Sequence, residues 1–250
     1  MSGHSKWSTI KRQKGANDAK RGALFTKIAR EISVAARQGG GDPDANYRLR
    51  LAVDKARSVN MPTDNIKRAI ERATGGADAA EYEEIVYEGY GPGGVAILVE
   101  AQTDNRNRTA AEVRAVFSKA GGQLAGSGAV AWQFEPRGVV TIPAAGTDPD
   151  DIALAAIDAG ADDLDTDDPE RLYVYTAPGD LEAVRTTLEA SAIAVESAES
   201  TMLARQTVEL DSEHARKALR LVENLEDLED VQRVTANFDI PEDLFAEVAG

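Results

Sequence analysis

The chain has 250 residues, with 28 Lys+Arg against 43 Asp+Glu and a net charge of −15. It contains no Cys, which excludes disulfides, thiolate metal sites and a Cys nucleophile, and its two His argue against a multi-His metal centre. Taken as an average, this acidity also argues against a nucleic-acid partner.

The average hides a division. Gly75-Gly76 is the first clear punctuation after a helical stretch. Residues 1–76 hold 16 Lys+Arg and 7 Asp+Glu, a net of +9; residues 77–250 hold 12 and 36, a net of −24. A basic segment on an acidic body points to a polyanionic surface at one end of the molecule. The apolar runs, such as 95–99 and 152–157, fall far short of the ~20 residues of a spanning helix. The N-terminus is basic but has no apolar secretory core. The expectation is a cytoplasmic protein with no membrane contact. No low-complexity segment or short-period repeat occurs.

In chain order, residues 1–16 read as an irregular arm whose large apolar residues are Trp7 and Ile10. Asn17 or Asp18 caps a helix running to Gln38. Leu24, Phe25, Ile28, Ile32 and Ala35 form its apolar face, and Lys20, Lys27, Arg30 and Arg37 lie opposite. Gly39-Gly40-Gly41 ends it. Asp42-Pro43 reads as the cap and first turn of a second helix, with Leu49, Ala52, Val53 and Ala56 inward. Asn60-Met61-Pro62 breaks that helix. Thr63 or Asp64 opens a third, with Ile66, Ala69, Ile70 and Ala73 inward and Lys67, Arg68 and Arg72 elsewhere. Three amphipathic helices with short links make a small bundle.

From Tyr82 the period becomes that of strands. Residues 85–88 and 95–101 read as two strands around a Gly-rich turn, followed by a helix over 107–120. Val130, Trp132 and Phe134 alternate like a half-buried strand. Residues 139–142, 172–176 and 193–205 read as strands. Residues 149–159, with Ile152 and Leu154 inward, and 180–190 read as helices. One more helix and a strand over 231–238 complete the tail. The mixture suggests two compact α+β units.

Several segments, in order, resemble one family. They are Ser2-Gly3-His4-Ser5-Lys6-Trp7, Asp18-Ala19-Lys20-Arg21-Gly22, Phe25-Thr26-Lys27, Gly39-Gly40-Gly41-Asp42-Pro43, Met61-Pro62, Tyr87-Glu88-Gly89-Tyr90-Gly91-Pro92-Gly93-Gly94 and Thr103-Asp104-Asn105-Arg106-Asn107-Arg108-Thr109. Together they look like the YebC/PmpR proteins, relatives of the mitochondrial translational activator of cytochrome c oxidase. Two departures are mild: Ala120 stands where the family pattern has Cys, and Lys11-Arg12-Gln13-Lys14 replaces a His-bearing run. The resemblance implies an α+β multidomain fold, with an N-terminal three-helix domain and two ferredoxin-like α+β domains, the third inserted into the second. The expected boundaries are 1–76 for the basic helical domain, 77–136 plus 206–250 for the middle domain, and 137–205 for the inserted acidic one. The family label implies a DNA-binding transcriptional regulator. Other members are described as ribosome-associated translation factors that relieve stalling at proline-rich sequences.

From Lys6 to Arg21, the cations Lys6, Lys11, Arg12, Lys14, Lys20 and Arg21 stand against a single acid, Asp18. Such a cluster neutralises phosphates. Trp7 either stacks on an unpaired base or fills a local core; His4, beside Ser2 and Ser5, reads as a surface His from the residues alone and as a further phosphate donor on the resemblance. The stripe of Lys20, Lys27, Arg30 and Arg37 extends this footprint. Helices two and three resemble a helix-turn-helix whose readers are Thr63, Asn65, Lys67 and Arg68, although no dimer symmetry is evident. Arg106 and Arg108 either pair with nearby carboxylates or make a second phosphate contact. The G-x-G-x-x-G of residues 89–94 is rejected as a dinucleotide site, because a strand follows it where the chemistry needs a helix N-terminus. Acids over 162–170 have Ca-loop-like spacing, but Asp168 and Val174 occupy the Gly and closing Glu positions, so the stretch reads as a solvated loop. No nucleophile motif occurs and His214 has no obvious partner for catalysis, so the chain reads as a non-enzyme with no cofactor or metal. The expected partner is nucleic acid, DNA or ribosomal RNA, bound through residues 1–76 of a monomer. The acidic domains are left for the ribosome or basic proteins, and an acidic protein-interaction adaptor is the competing class.

Overall fold

The computed structural model describes residues 18–75 and 81–239, with side chains from Arg21 onward. The described residues form two compact units, one of them residues 134–205.

The larger unit begins with three helices: α1 (Asp18–Gly39), α2 (Tyr47–Ser58) and α3 (Thr63–Thr74). Ile28, Ile32, Ala35, Leu49, Val53, Ala56, Ile66 and Ala69 close a single core between them. Leu24, expected inward, is exposed one turn before that core begins. Asp42-Pro43 does not start α2. Asp42 Oδ1 accepts from the Asp44 amide in a local turn, and the cap is Asn46. Its Oδ1 accepts from Leu49 N at 3.1 Å, while its amide donates to the carbonyls of Ala35 and Gly40, both at 2.8 Å. One side chain thus starts α2 and ties down the end of α1. α2 stops at Asn60, whose φ of 58° supplies the left-handed turn that a Gly usually provides. α3 follows Pro62 with no side-chain cap.

The helices pack on a split α+β body. It comprises β1 (Glu83–Tyr90), β2 (Ala96–Thr103), α4 (Arg106–Lys119) and the short β3 (Gln123–Leu124), then, after residues 134–205, α7 (Ser212–Glu226) and β9 (Val231–Ala236). The sheet runs β3-β1-β2-β9, antiparallel throughout, with β2 central and almost wholly buried. β8 (Val208–Glu209) and β10 (Phe238–Asp239) add a parallel pair. The 89–94 turn is a glycine hairpin containing a single 3-10 turn, Pro92–Gly94, that leads into a strand. Gly89 lies where a Cβ would come within 2.6 Å of the Phe117 ring, so helix and sheet meet at a backbone with no side chain. Residues 131–133 are a 3-10 turn and not the expected strand, and Trp132 is 70% exposed.

The second unit holds β4 (Phe134–Pro143), α5 (Pro149–Asp158), β5 (Asp163–Asp165), β6 (Arg171–Thr176), α6 (Leu181–Ala190) and β7 (Ser197–Ala204). Its sheet order β5-β6-β4-β7, with a βαββαβ succession, is ferredoxin-like. That topology belongs to this unit; the middle sheet, with a ββαβ–αβ succession, is wound differently. Leu154, expected inside α5, is exposed together with Ile157, while Ile152 and Ala156 face the core. The 162–170 stretch is partly strand. Asp168 is buried and accepts from the Tyr173 hydroxyl at 3.0 Å, so that carboxylate is structural.

Candidate nucleic-acid interface

His4, Lys6, Trp7, Lys11, Arg12 and Lys14 lie outside the described residues, as does the side chain of Lys20. The remaining cations fall into two groups: some stay at the surface and others are drawn into the fold.

Arg21 is exposed, its guanidinium 6.0 Å from the centroid of the Phe25 ring. Arg37 is exposed, 4.0 Å from Glu81. Lys27 is half-buried and donates to the Glu226 carbonyl on α7. Arg30 corrects the expected stripe most clearly. It is 6% exposed, donates to the carbonyls of Gln102 and Glu229, and pairs with Asp230 and Glu229 at 3.0 Å each. Its guanidinium also lies 4.9 Å from the Tyr82 ring centroid. Lys27 and Arg30 sit opposite the apolar face of α1, but the α+β body covers that side. The four cations are therefore not one wet face.

Asp230 is the centre of this anchor. It is 1% exposed and accepts from Arg30, from Arg108 at 2.7 Å and from the hydroxyls of Thr103 at 2.9 Å and Thr109 at 2.6 Å. Burial opposes its ionisation, yet these donors together outweigh burial and hold its carboxyl below the ordinary value. Arg108 also pairs with Asp104 at 2.9 Å, and its pKa is raised by Asp230 first and Asp104 next. Of the two readings of Arg108, carboxylate pairing is the one the geometry realises. Arg106 is exposed, with Glu83 at 3.5 Å. Asn105 caps α4 by accepting from Arg108 N, which fixes both arginines at the strand-to-helix corner.

A second tie joins α1 and α2 to β1. Arg48 makes a two-pronged bridge to Glu84, and Gln38 donates to the same carboxylate at 3.0 Å. The Arg48 hydrogen bonds come first among the causes that hold Glu84 at about 2, against a smaller opposing effect of burial. Because of these ties, the helical bundle and the middle sheet form one compact unit.

Lys67 and Arg68 are exposed on α3. Arg68 turns back to donate to Asp64 O and Asn65 Oδ1, both at 3.1 Å. It also lines a cleft of about 920 Å³ between α1 and α3, together with Arg37, Arg72, Asn65 and Tyr82. Lys67 does not line it. Sequence reasoning missed Arg72 and Tyr82. The i, i+4 spacing of Arg68 and Arg72 carried a signal; nothing local marked Tyr82. Asp211 caps α7 by accepting from His214 N at 2.9 Å, and its other carboxylate oxygen lies 2.6 Å from His214 Nδ1. Among the described residues no helix is long and apolar enough to cross a membrane.

Fold and site define a class of protein: a basic three-helix bundle anchored on an acidic, split α+β body that carries a second α+β unit between its strands. Family models for the TACO1/YebC N-terminal domain and for the TACO1/YebC second and third domain match residues 5–76 and 82–238, and the chain belongs to this family. A relative from Rubrobacter xylanophilus, 57% identical over the full length of both chains, is named a probable transcriptional regulatory protein. A second with the same name, from Moorella thermoacetica, is 56% identical over 96% of each chain. The crystal structure of a conserved hypothetical protein from Aquifex aeolicus is similar with a TM-score of 0.84 at 46% identity, covering 90% of this chain and 93% of that one.

Proposed function

We propose that the chain is a nucleic-acid-binding regulator of gene expression that engages its target through residues 1–76. The observation that carries this reading is the division of charge, +9 before residue 77 and −24 after it. A polyanion attracts the first segment and repels the rest, so the molecule docks by one end. The names of the relatives agree with a regulatory role. The contacting set is His4, Lys6, Trp7, Lys11, Arg12, Lys14, Lys20 and Arg21 from the arm and first turns, with Arg37, Lys67 and Arg68 from the bundle. Arg30 and Arg108 leave that set because both pair with Asp230, and Lys27 leaves it for the Glu226 carbonyl; Arg106, exposed with Glu83 at 3.5 Å, stays a candidate for a second phosphate contact outside residues 1–76.

Replacing Lys6, Lys11, Arg12 and Lys14 with Glu tests this directly. Binding should fall below detection at near-physiological salt, and any residual binding should show a log–log salt slope shallower by about four. Unchanged affinity removes the arm from the interface. The second reading is a ribosome-associated translation factor, favoured by Trp7 standing among the cations of the arm, an aromatic suited to an unpaired base. Co-sedimentation with ribosomes beside gel shifts on duplex DNA, at equal salt, separates the two. Loss of both leaves the acidic adaptor.

A further inference from the structure

The cleft between α1 and α3 belongs to neither the anchor nor the core of the bundle. We propose that it takes one unpaired nucleotide of a bound strand, with the base inside and the phosphate at an arginine rim. This rests on the reading that residues 1–76 contact nucleic acid, and it adds where a base goes and in what form.

At about 920 Å³ the cleft has the size of sites that enclose small organic ligands. A base paired and stacked in a duplex cannot enter such a space without leaving its stack. The lining has the two chemistries a nucleotide requires. Phe25, Met61 and Ala69 supply apolar surface, and the Tyr82 ring supplies an aromatic face. That ring is held from one side by the Arg30 guanidinium, which is itself fixed by the buried Asp230, so the aromatic is positioned before anything binds. Besides the buried Arg30, the lining holds Arg37, Arg68 and Arg72 with Glu71 as its one acid, and Glu81 lies 4.0 Å from Arg37. Arg72 has no ion-pair partner among the described residues. Asn65 adds an amide able to meet the edge of a base.

The test uses the full chain with a single-stranded oligonucleotide carrying 5-iodouracil, made in ribo and deoxyribo forms, and the matching perfect duplexes. After irradiation, adducts mapped by mass spectrometry should fall on Tyr82 or Phe25. Arg72→Glu should lower the ratio of single-strand to duplex affinity by about tenfold, and Arg72→Lys by less than about threefold. Thermal melting of each variant alongside the unaltered chain confirms that the cleft is intact. Adducts found only outside the cleft, or an Arg72→Glu variant in which both affinities fall alike, overturn the proposal while leaving nucleic-acid binding in place. If the unaltered chain binds none of these oligonucleotides, both the cleft and the underlying reading fail.

Discussion

Asp230 joins three elements of the larger unit at one side chain. It is buried, ionised and shared by Arg30 of α1 and Arg108 of α4, with two threonine hydroxyls completing its shell. Removing one partner of a buried pair leaves the other charge uncompensated, at a typical cost of 3–5 kcal/mol. Asp230→Ala should therefore lower the unfolding free energy by about 4 kcal/mol, read from the urea midpoint at constant slope. The Arg48–Glu84 bridge makes a pH prediction. A carboxyl held at about 2 in the fold against an ordinary 4.5 stabilises fully above pH 4.5, and that stabilisation disappears as pH falls toward about 2. The thermal midpoint of the unaltered chain should drop more steeply across that window than that of Glu84→Gln, and equal slopes would discount the bridge. Little of this was legible in sequence. Helical spacing tells which side of α1 is apolar, but it does not say that another body will cover the polar side and bury Arg30.

At the scale of elements the sequence was more informative. Apolar spacing placed all three helices of the bundle and the main strands, because each must bury a face against something. Boundaries were less legible where a side chain acts at a distance. Asp42-Pro43 looks like a helix start in isolation; Asn46 wins because its amide also reaches back to Ala35 and Gly40. Asn46→Ala should destabilise by about 2 kcal/mol, combining a lost cap with the loss of the amide bonds to the buried Ala35 carbonyl and the part-buried Gly40 carbonyl. The hydrogen-exchange protection of the first turn of α2 should weaken with it. Trp132 alternates with its neighbours as a strand residue would, but the loop before it is captured by Glu88, which accepts from the amides of Gly128, Val130 and Ala131. Burial works against this carboxylate, and those amides overcome it to keep its pKa below the ordinary value. Gly89→Ala should cost about 1–3 kcal/mol through its clash with the Phe117 ring, measured by chemical unfolding.

For the whole molecule, the opening charge of −15 was misleading as an average and informative once divided. The division was legible because charge needs no fold to be counted. The cleft was not, since its walls come from three places along the chain. The insertion is easier to isolate. Phe134 and Ala204 are register partners in β4 and β7, so the chain enters and leaves residues 134–205 at adjacent points. Replacing 134–205 with a short Gly-Ser link should leave a folded product with cooperative thermal unfolding, and isolated 134–205 should fold as well. A molten remainder would show that the two units depend on each other.

Arg30 and Asp230 stand 200 positions apart. During synthesis the bundle has its own core as soon as α3 emerges, long before its anchoring carboxylate exists. On its polar side, Arg30 then lacks its Glu229 and Asp230 partners until the last tenth of the chain is made. A nascent or truncated chain ending before residue 230 therefore presents the basic end without its buried carboxylate, and the first element made gains that anchor only when the chain is nearly finished.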